Sequence, residues 1–415
     1  MLKIVPEFPF CVKECRTSKD YNFLFAAISY LPFLQAYTQE PVMAAGGSFN
    51  RKKAHFSCYG EAMERYSLFC VDLSRIVRRK ECEFSSSDLF VSPAKFLFYI
   101  DEVYNLLPLR RYNLNESIFW IKGVTLKRNN DIWLPIFAVY NASDLFKQYL
   151  ANYDLPLSTG GSCDNSYSKA VEKGLLEVIE RDAFMIHWEA QWPGKEILDL
   201  EEIMPEIFLI TQSGFSVKAF ILENDFHIPV VLAIIYDERQ KRAAYSVGAA
   251  AARNFKAASI KAVEEAILAN FWVTCMLRRN QISLKQIMLN INTLPSPAHH
   301  AHMYGFYETG KNLDFLWNSL EKVKVNWNGE KDVFSNLDEF VGIIDKQGYE
   351  PLVVDVTVPE IRKQGFHVVK ALIPGLVTLS RGVILRPLNN KRLREVPGIF
   401  NFDFKNFNNN PHPFP

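Results

Sequence analysis

Two stretches of this sequence each place two carboxylates and a guanidinium where one face of a helix would carry them together. Residues 57–66 read SCYGEAMERY and residues 176–182 read LEVIERD, so Glu61/Glu64/Arg65 and Glu177/Glu180/Arg181 repeat the pattern Glu-x-x-Glu-Arg. Positions i, i+3 and i+4 share a helical face, and Ser57, one turn before Glu61, adds a hydroxyl to the first set. A single such trio reads most simply as a solvated stripe. Two features argue against that here. Like charges at this spacing weaken a helix, so a repeat suggests an outside cation. The flanks (Ala62, Met63, Leu68 and Phe69; Leu175, Val178, Ile179 and Phe184) are also too apolar for free exposure. A partly buried carboxylate needs a counter-charge, from Arg or from metal. Hard oxygen donors suit Mg2+, which is commonly held by a few carboxylates together with nucleotide phosphates.

Each pattern follows a Gly/Ser stretch, Gly46-Gly47-Ser48 and residues 158–162 (STGGS), and the second helix is expected to be capped near Asn165 or Ser166. Backbone N–H groups at a helix start can bind phosphate. Neither stretch matches the G-x-x-x-x-G-K-[ST] loop. Taken alone, the residues point to a Mg–nucleotide site between two carboxylate-bearing helices and no further.

The elements that must position this site form a mixture. Residues 118–125 and 132–140 read as strands around a turn at 129–131; 217–222 and 228–236 read as another pair. Residues 256–270 are Ala-rich with charges at helical spacing, and 352–356 and 367–372 are late strand-like runs. Antiparallel-looking pairs with few long helices favour an α+β fold. Short breaks fall at 84–88, 158–162 and 292–297, and residues 401–415, rich in Asn, Phe and Pro, are expected to carry little regular structure.

The chain has 47 Lys+Arg against 46 Asp+Glu, which leaves no global basic field for nucleic acid. No apolar run approaches the roughly 18 residues of a membrane span, and no signal-peptide pattern opens the chain. Seven cysteines, an odd number, suit reduced thiols in a cytoplasm rather than a disulfide framework. Cys11-x-x-x-Cys15 has no second pair, Cys163 has no recognisable base, and His299-His300-x-His302 reads as a loop beside the 292–297 break.

In ordered motifs the sequence resembles the YcaO superfamily, whose members carry G-K-G…A-x-x-S-A-x-x-E-A-x-E-R, T-N-G…E-x-x-E-R-D, A-L-x-E-A-x-Q and V-V-R-V-x-x-P-G-L. This chain has Gly46…Ala54-x-x-Ser57…Glu61-Ala62-x-Glu64-Arg65, then Thr159-Gly160-Gly161…Glu177-x-x-Glu180-Arg181-Asp182. Ala262…Glu264-Glu265-Ala266, Val368-Val369-Lys370…Pro374-Gly375-Leu376 and Arg386-Pro387-Leu388 follow, and the chain closes on Pro411-His412-Pro413-Phe414-Pro415. The resemblance implies an α+β fold with antiparallel and mixed sheets flanked by helices that carry the ATP and Mg2+ carboxylates. It implies a segment 1–45 integrated into the fold, a catalytic domain over 46–400 and an extended Pro-rich tail over 401–415.

The activity implied is that of the azoline-forming branch. ATP phosphorylates a backbone amide oxygen of a ribosomally made precursor peptide, and a neighbouring Cys, Ser or Thr closes a thiazoline or oxazoline ring, as in bacteriocin-like biosynthesis. By position, Glu61, Glu64, Glu177 and Glu180 would hold Mg2+; Ser57, Arg65, Arg181 and Glu265 would line the nucleotide. Pro411, Pro413 and Pro415 would bring the tail to the active site. Implied partners are the precursor, a separate leader-peptide-binding protein of the ubiquitin-activating-enzyme-like (ThiF-like) kind, a flavin dehydrogenase and a second copy in a homodimer. The residues before 46 are expected to be too few for a leader-recognition domain. Three positions depart from the pattern: Gly47 stands for the Lys of G-K-G, with Lys52 or Lys53 as stand-ins, Gly160 for the Asn of T-N-G, and Leu268 for the Gln of the third motif. A catalytically silent peptide-binding subunit and a thioamide- or amidine-forming enzyme are the alternatives.

Overall fold

The computed structural model describes residues 11–15, 17, 19–31, 43–107, 109–141, 158–293, 297–380 and 382–414. Within them the chain forms strands β1 (Val12–Cys15), β2 (Phe25–Tyr30), β3 (Met43–Ser48), β4 (Ile76–Arg79), β5 (Ile118–Thr125), β6 (Asp131–Pro135) and β7 (Gly161–Asp164). There follow β8 (Lys195–Ile197), β9 (Phe215–Ile221), β10 (Val230–Asp237), β11 (Tyr245–Ala251), β12 (Lys322–Val323), β13 (Leu352–Asp355) and β14 (His367–Leu372).

The strands make three sheets: β1-β2-β3, β11-β10-β9-β8-β12, and β4-β5-β13-β14-β7 with β6 paired to β5. Every pairing between named strands is antiparallel except β12 with β8. The mixed α+β architecture expected from the sequence is therefore the one observed. The strand pair expected at 118–140 ends early, because Pro135 starts a 3-10 turn at Ile136–Ala138. The helices are longer than the sequence suggested. α1 is Arg51–Phe69, α2 is Tyr167–Ala190 and α3 is Phe255–Asn280. α4, Pro297–Tyr304, contains the His299–His302 run, so the expected loop there is a helix. The 292–297 break lies partly outside the described residues.

Local sequence explains the helix starts. Asn50 accepts the Lys53 N–H at 3.1 Å and Asn254 accepts the Ala257 N–H at 2.8 Å, each satisfying an end donor that has no helical partner. Ser166 is the N-cap residue of α2, as expected, although its hydroxyl makes no capping bond. α2 packs on β14 of the six-stranded sheet and on β11 of the five-stranded one, so almost its whole C-terminal half is buried. Residues 182–190 of α2 are buried without a break, and the helix contributes heavily to the largest core cluster among the described residues. Its charged residues survive there because each has a partner. Asp182 receives Arg392 Nε and Nη2 at 2.9 and 2.6 Å, and the same guanidinium binds Asp225 at 2.8 Å. This buried network ties the C-terminal region of the chain to the central helix.

Candidate active site

α1 carries Glu61, Glu64 and Arg65, and α2 carries Glu177, Glu180 and Arg181; Glu64 and Arg65 both feel the Glu177 charge. Arg65 Nε donates to Glu61 Oε1 at 2.8 Å, and the Ala45 N–H donates to Glu61 Oε2 at 3.0 Å. Glu64 and Glu177 repel each other across the gap between the helices. Desolvation first, and then the Glu177 and Glu61 charges, push the Glu64 carboxyl up to about 8. Desolvation likewise raises Glu177 and Glu180 above the ordinary range, against the pull of Arg181. The Gly160 N–H reaches Glu177 Oε2 at 3.3 Å and the Ala251 N–H reaches Glu180 Oε2 at 3.2 Å.

α3 completes the cluster. Lys261 Nζ is 3.5 Å from Glu265 Oε1, and its positive charge also acts on Glu177 and Glu180. From β14 comes Lys370, 2% exposed, beside Glu64 and Glu177; burial depresses its ammonium to about 8. Lys370 and Thr159 line a cleft whose other walls include Phe96, Phe137, Leu372 and Leu376. Thus Glu61, Glu64, Glu177, Glu180, Arg65, Arg181 and Glu265 are gathered in one region, while Ser57 lies exposed one helical turn before Glu61.

Lys370 belongs to the motif Val368-Val369-Lys370, but its position along the sequence implies no role in this site. The available signal was one Lys inside the apolar run HVVKAL, on a strand otherwise buried. Lys261 and the Glu264 network were also missed. Glu264 binds the Ser48 hydroxyl, the Phe49 N–H at 3.2 Å and Lys53 Nζ at 2.6 Å. Lys53, one of the two stand-ins for the missing Lys, is thereby engaged by Glu264.

The donor set suits Mg2+. Glu180 Oε1 is buried with no aligned hydrogen bond, Arg181 Nε standing 3.3 Å away. The Glu64–Glu177 repulsion would be relieved by a cation between them. Among the described residues no group of three His, Cys, Asp or Glu side chains is close enough to hold a metal unaided. An ion here would need oxygens from another source, which accords with the habit of Mg2+ of binding one or two carboxylates plus phosphates and water.

The tail enters the same region. Phe414 is buried, its ring 4.4 Å from that of Phe184, and the Arg181 guanidinium lies 4.5 Å from its centroid. Residues 403–414 have no helix or strand, as expected, yet 410–414 are packed rather than frayed. Pro411 and Pro413 lie on this docked stretch; Pro415 falls outside the described residues. Cys163 sits on β7 with burial raising its thiol, the reverse of an activated nucleophile.

Buried carboxylates from α1 and α2, with Lys370 and the C-terminal tail beside them, form a candidate site of hard oxygen donors. The chain belongs to the YcaO family: the family model described as YcaO cyclodehydratase, ATP- and Mg2+-binding, matches residues 45–377. ATP and Mg2+ are the ligands that this family's description names. Among curated proteins none matches the sequence.

Among solved structures it is similar to a heterocyclase in complex with substrate and cofactor, with a TM-score of 0.76 and 18% identity over 98% of this chain and 55% of that one. It is similar also to YcaO from Methanopyrus kandleri bound with AMPPCP and Mg2+ (TM-score 0.63, 18% identity, 91% of this chain and 88% of that one). The E. coli microcin synthetase McbBCD complex is a further likeness (0.64, 16%, 99% and 98%). The heterocyclase TruD is another, and the chain spans about half the length of it and of the first heterocyclase.

Proposed function

We propose that this protein is an ATP-dependent cyclodehydratase that converts Cys, Ser or Thr of a ribosomally made precursor peptide to thiazoline or oxazoline. The observation that carries this reading is the pair of Glu-x-x-Glu-Arg helices facing each other with the C-terminal tail packed on Arg181. In this reading Glu61, Glu64, Glu177 and Glu180 hold the metal, and Ser57, Arg65, Arg181 and Glu265 line the nucleotide. Bound Mg2+ would neutralise the phosphates and the charge that develops on them. The chain's own contribution is positioning and preorganised charge. Arg65 and Arg181 hold Glu61 and Glu180 in place, and Lys370 offers a desolvated cation beside the cleft. Pro411 and Pro413 give the tail a pre-set extended form that costs little entropy to dock, and Pro415, outside the described residues, is assigned to the same tail.

In this reading the catalytic unit is residues 46–400, preceded by the segment 1–45 and followed by the tail 401–415; residues 1–10, 32–42 and 415 lie outside the described residues. A leader-binding partner of the ubiquitin-activating-enzyme-like (ThiF-like) kind presents the precursor, a flavin dehydrogenase can follow, and the enzyme works as a cytoplasmic homodimer in bacteriocin-like biosynthesis. Among the described residues no helix is long and apolar enough to cross a membrane. The test mixes the protein with Mg2+, ATP, precursor and partner: phosphate release together with loss of one water mass per ring is expected. Tight peptide binding with no mass loss would instead identify a silent peptide-binding subunit.

A further inference from the structure

The C-terminal tail is held by an unusual set of bonds. Its carbonyls, rather than its N–H groups, make most of the contacts, in keeping with prolines at 411 and 413 that have no N–H to give. Arg386 donates to the Asn408 carbonyl, Trp188 Nε1 to that of Asn410 at 3.1 Å, Tyr304 Oη to that of Pro411 at 2.7 Å, and His300 Nδ1 to that of His412 at 2.9 Å. The last two donors stand at i and i+4 on α4, on one face of that helix.

The His300 tautomer is dictated by its surroundings. The Gly382 N–H donates to Nε2 at 2.7 Å, so Nε2 must offer a lone pair and Nδ1 must carry the proton. The next imidazole is fixed in the opposite sense. His412 Nε2 lies 3.0 Å from the Ser380 carbonyl, which can only accept, so Nε2 carries the proton and the buried Nδ1 is bare. The two rings are 4.3 Å apart, both buried, and His412 also meets Phe184 on α2.

We infer that α4 is the clamp for the C-terminal tail, and that His300 is the positioning residue which, by locking the backbone at His412, sets Phe414 on Arg181. The inference rests on the proposed role of the tail in the active site and supplies the device that would place it there. The line of contact is continuous: His300 to the His412 carbonyl, two residues on to Phe414, then to Arg181, which stands beside Glu180.

A clamp built from neutral imidazoles is sensitive to acid. Burial pushes His300 down to about 4 and His412 well below the usual range. Among the described residues the charged or titratable groups facing them are His299 on α4, Arg181 on α2 and each other, while Ser380 and Gly382 present backbone groups and Arg381 lies outside the described residues. Adding a proton to His300 Nε2 would set one N–H against that of Gly382. A released tail would restore His412 to its ordinary value of 6.5. Docking is therefore fully favoured above about 6.5 and weakens as pH falls toward about 4.

The test follows hydrogen exchange of the C-terminal peptide in the full-length protein, corrected for intrinsic rates, with circular dichroism as the folding check. His300→Phe keeps the ring volume and removes both bonds; His300→Asn can restore the donor toward the His412 carbonyl. At pH 7.5 His300→Phe should raise exchange at least tenfold, to the level of the freely exposed tail, and His300→Asn should recover most of the protection. Wild-type protection should fall between pH 6.5 and 4, with no such step in His300→Phe. Wild-type protection in His300→Phe, at any level of activity, overturns the inference. A released tail with unchanged phosphate release from Mg2+·ATP supports the clamp and instead removes the catalytic role of the tail.

Discussion

Gly47 and Leu268 occupy the same space. A Cβ on Gly47 would lie 2.6 Å from Leu268 Cδ1 and 2.9 Å from its Cβ, well inside contact distance. These are two of the three positions where the YcaO motifs have a polar side chain and this chain has none, the pattern there being Lys and Gln. The two departures are therefore one structural event: the residue without a side chain on β3 makes room for a leucine on α3. The third departure has its own cause. Gly160 has φ +83° and a Cβ there would strike the Ala371 carbonyl, so the residue whose N–H reaches Glu177 must be glycine in this backbone.

Coupling between these residues can be measured. Gly47→Lys alone should destabilise by about 1–3 kcal/mol through overpacking. Gly47→Lys with Leu268→Gln should recover at least half of that loss in urea unfolding, because the amide is slimmer at the branch point and can pair with the ammonium. Additive effects in the double-mutant cycle would show that the two sites are independent.

Glu61→Gln and Glu180→Gln each keep the shape of the side chain and remove its charge. Turnover with Mg2+·ATP should fall by about 10²–10³-fold, with far-UV circular dichroism unchanged. Near-wild-type rates would remove these residues from the metal set.

Glu64 supplies a pH signature. Its folded-state pKa, about 8, lies above its ordinary value of 4.5. The stability it contributes is fully present below 4.5 and is lost as pH rises through about 8. Thermal melts of the ligand-free protein should thus show a falling Tm from pH 6 to 9 that Glu64→Gln flattens. Mg2+·ATP should flatten it also, since a bound cation favours the carboxylate; an equal slope in the variant would contradict the assignment.

Removal of residues 411–415 should abolish heterocyclisation. The sheets should persist, but the loss is not free of structural cost. Phe414 fills a buried site against Phe184, so its removal should cost about 3–5 kcal/mol, read as a lower midpoint in denaturant. Full heterocyclisation by the truncated protein would refute the role of the tail.

Much of this protein is legible along the chain. The spacing of Glu61/Glu64/Arg65 and Glu177/Glu180/Arg181 is a helical-face property, which sequence periodicity reports directly. Strand pairs such as β9 with β10 follow from short runs rich in β-branched and aromatic residues joined by a short connection. Lys370 was hidden because a strand residue's environment depends on which helices cover its face, and here α1 and α2 both approach it with carboxylates. The His299–His302 run looked like a loop because its neighbours are prolines; Pro297 instead starts the helix, at the one place where proline costs nothing.

The sequence by itself determined the carboxylate faces, the α+β class and the family. Tertiary structure alone decided that the two faces meet, that Gly47 and Leu268 are one substitution, and that a proline-rich end is gripped by His300 and Tyr304. The reason is physical: repulsion between Glu64 and Glu177, the clash at Gly47 and the tautomer of His300 are all set by groups distant in sequence. Periodicity reports local geometry, whereas burial and pairing across helices exist only once the chain has folded.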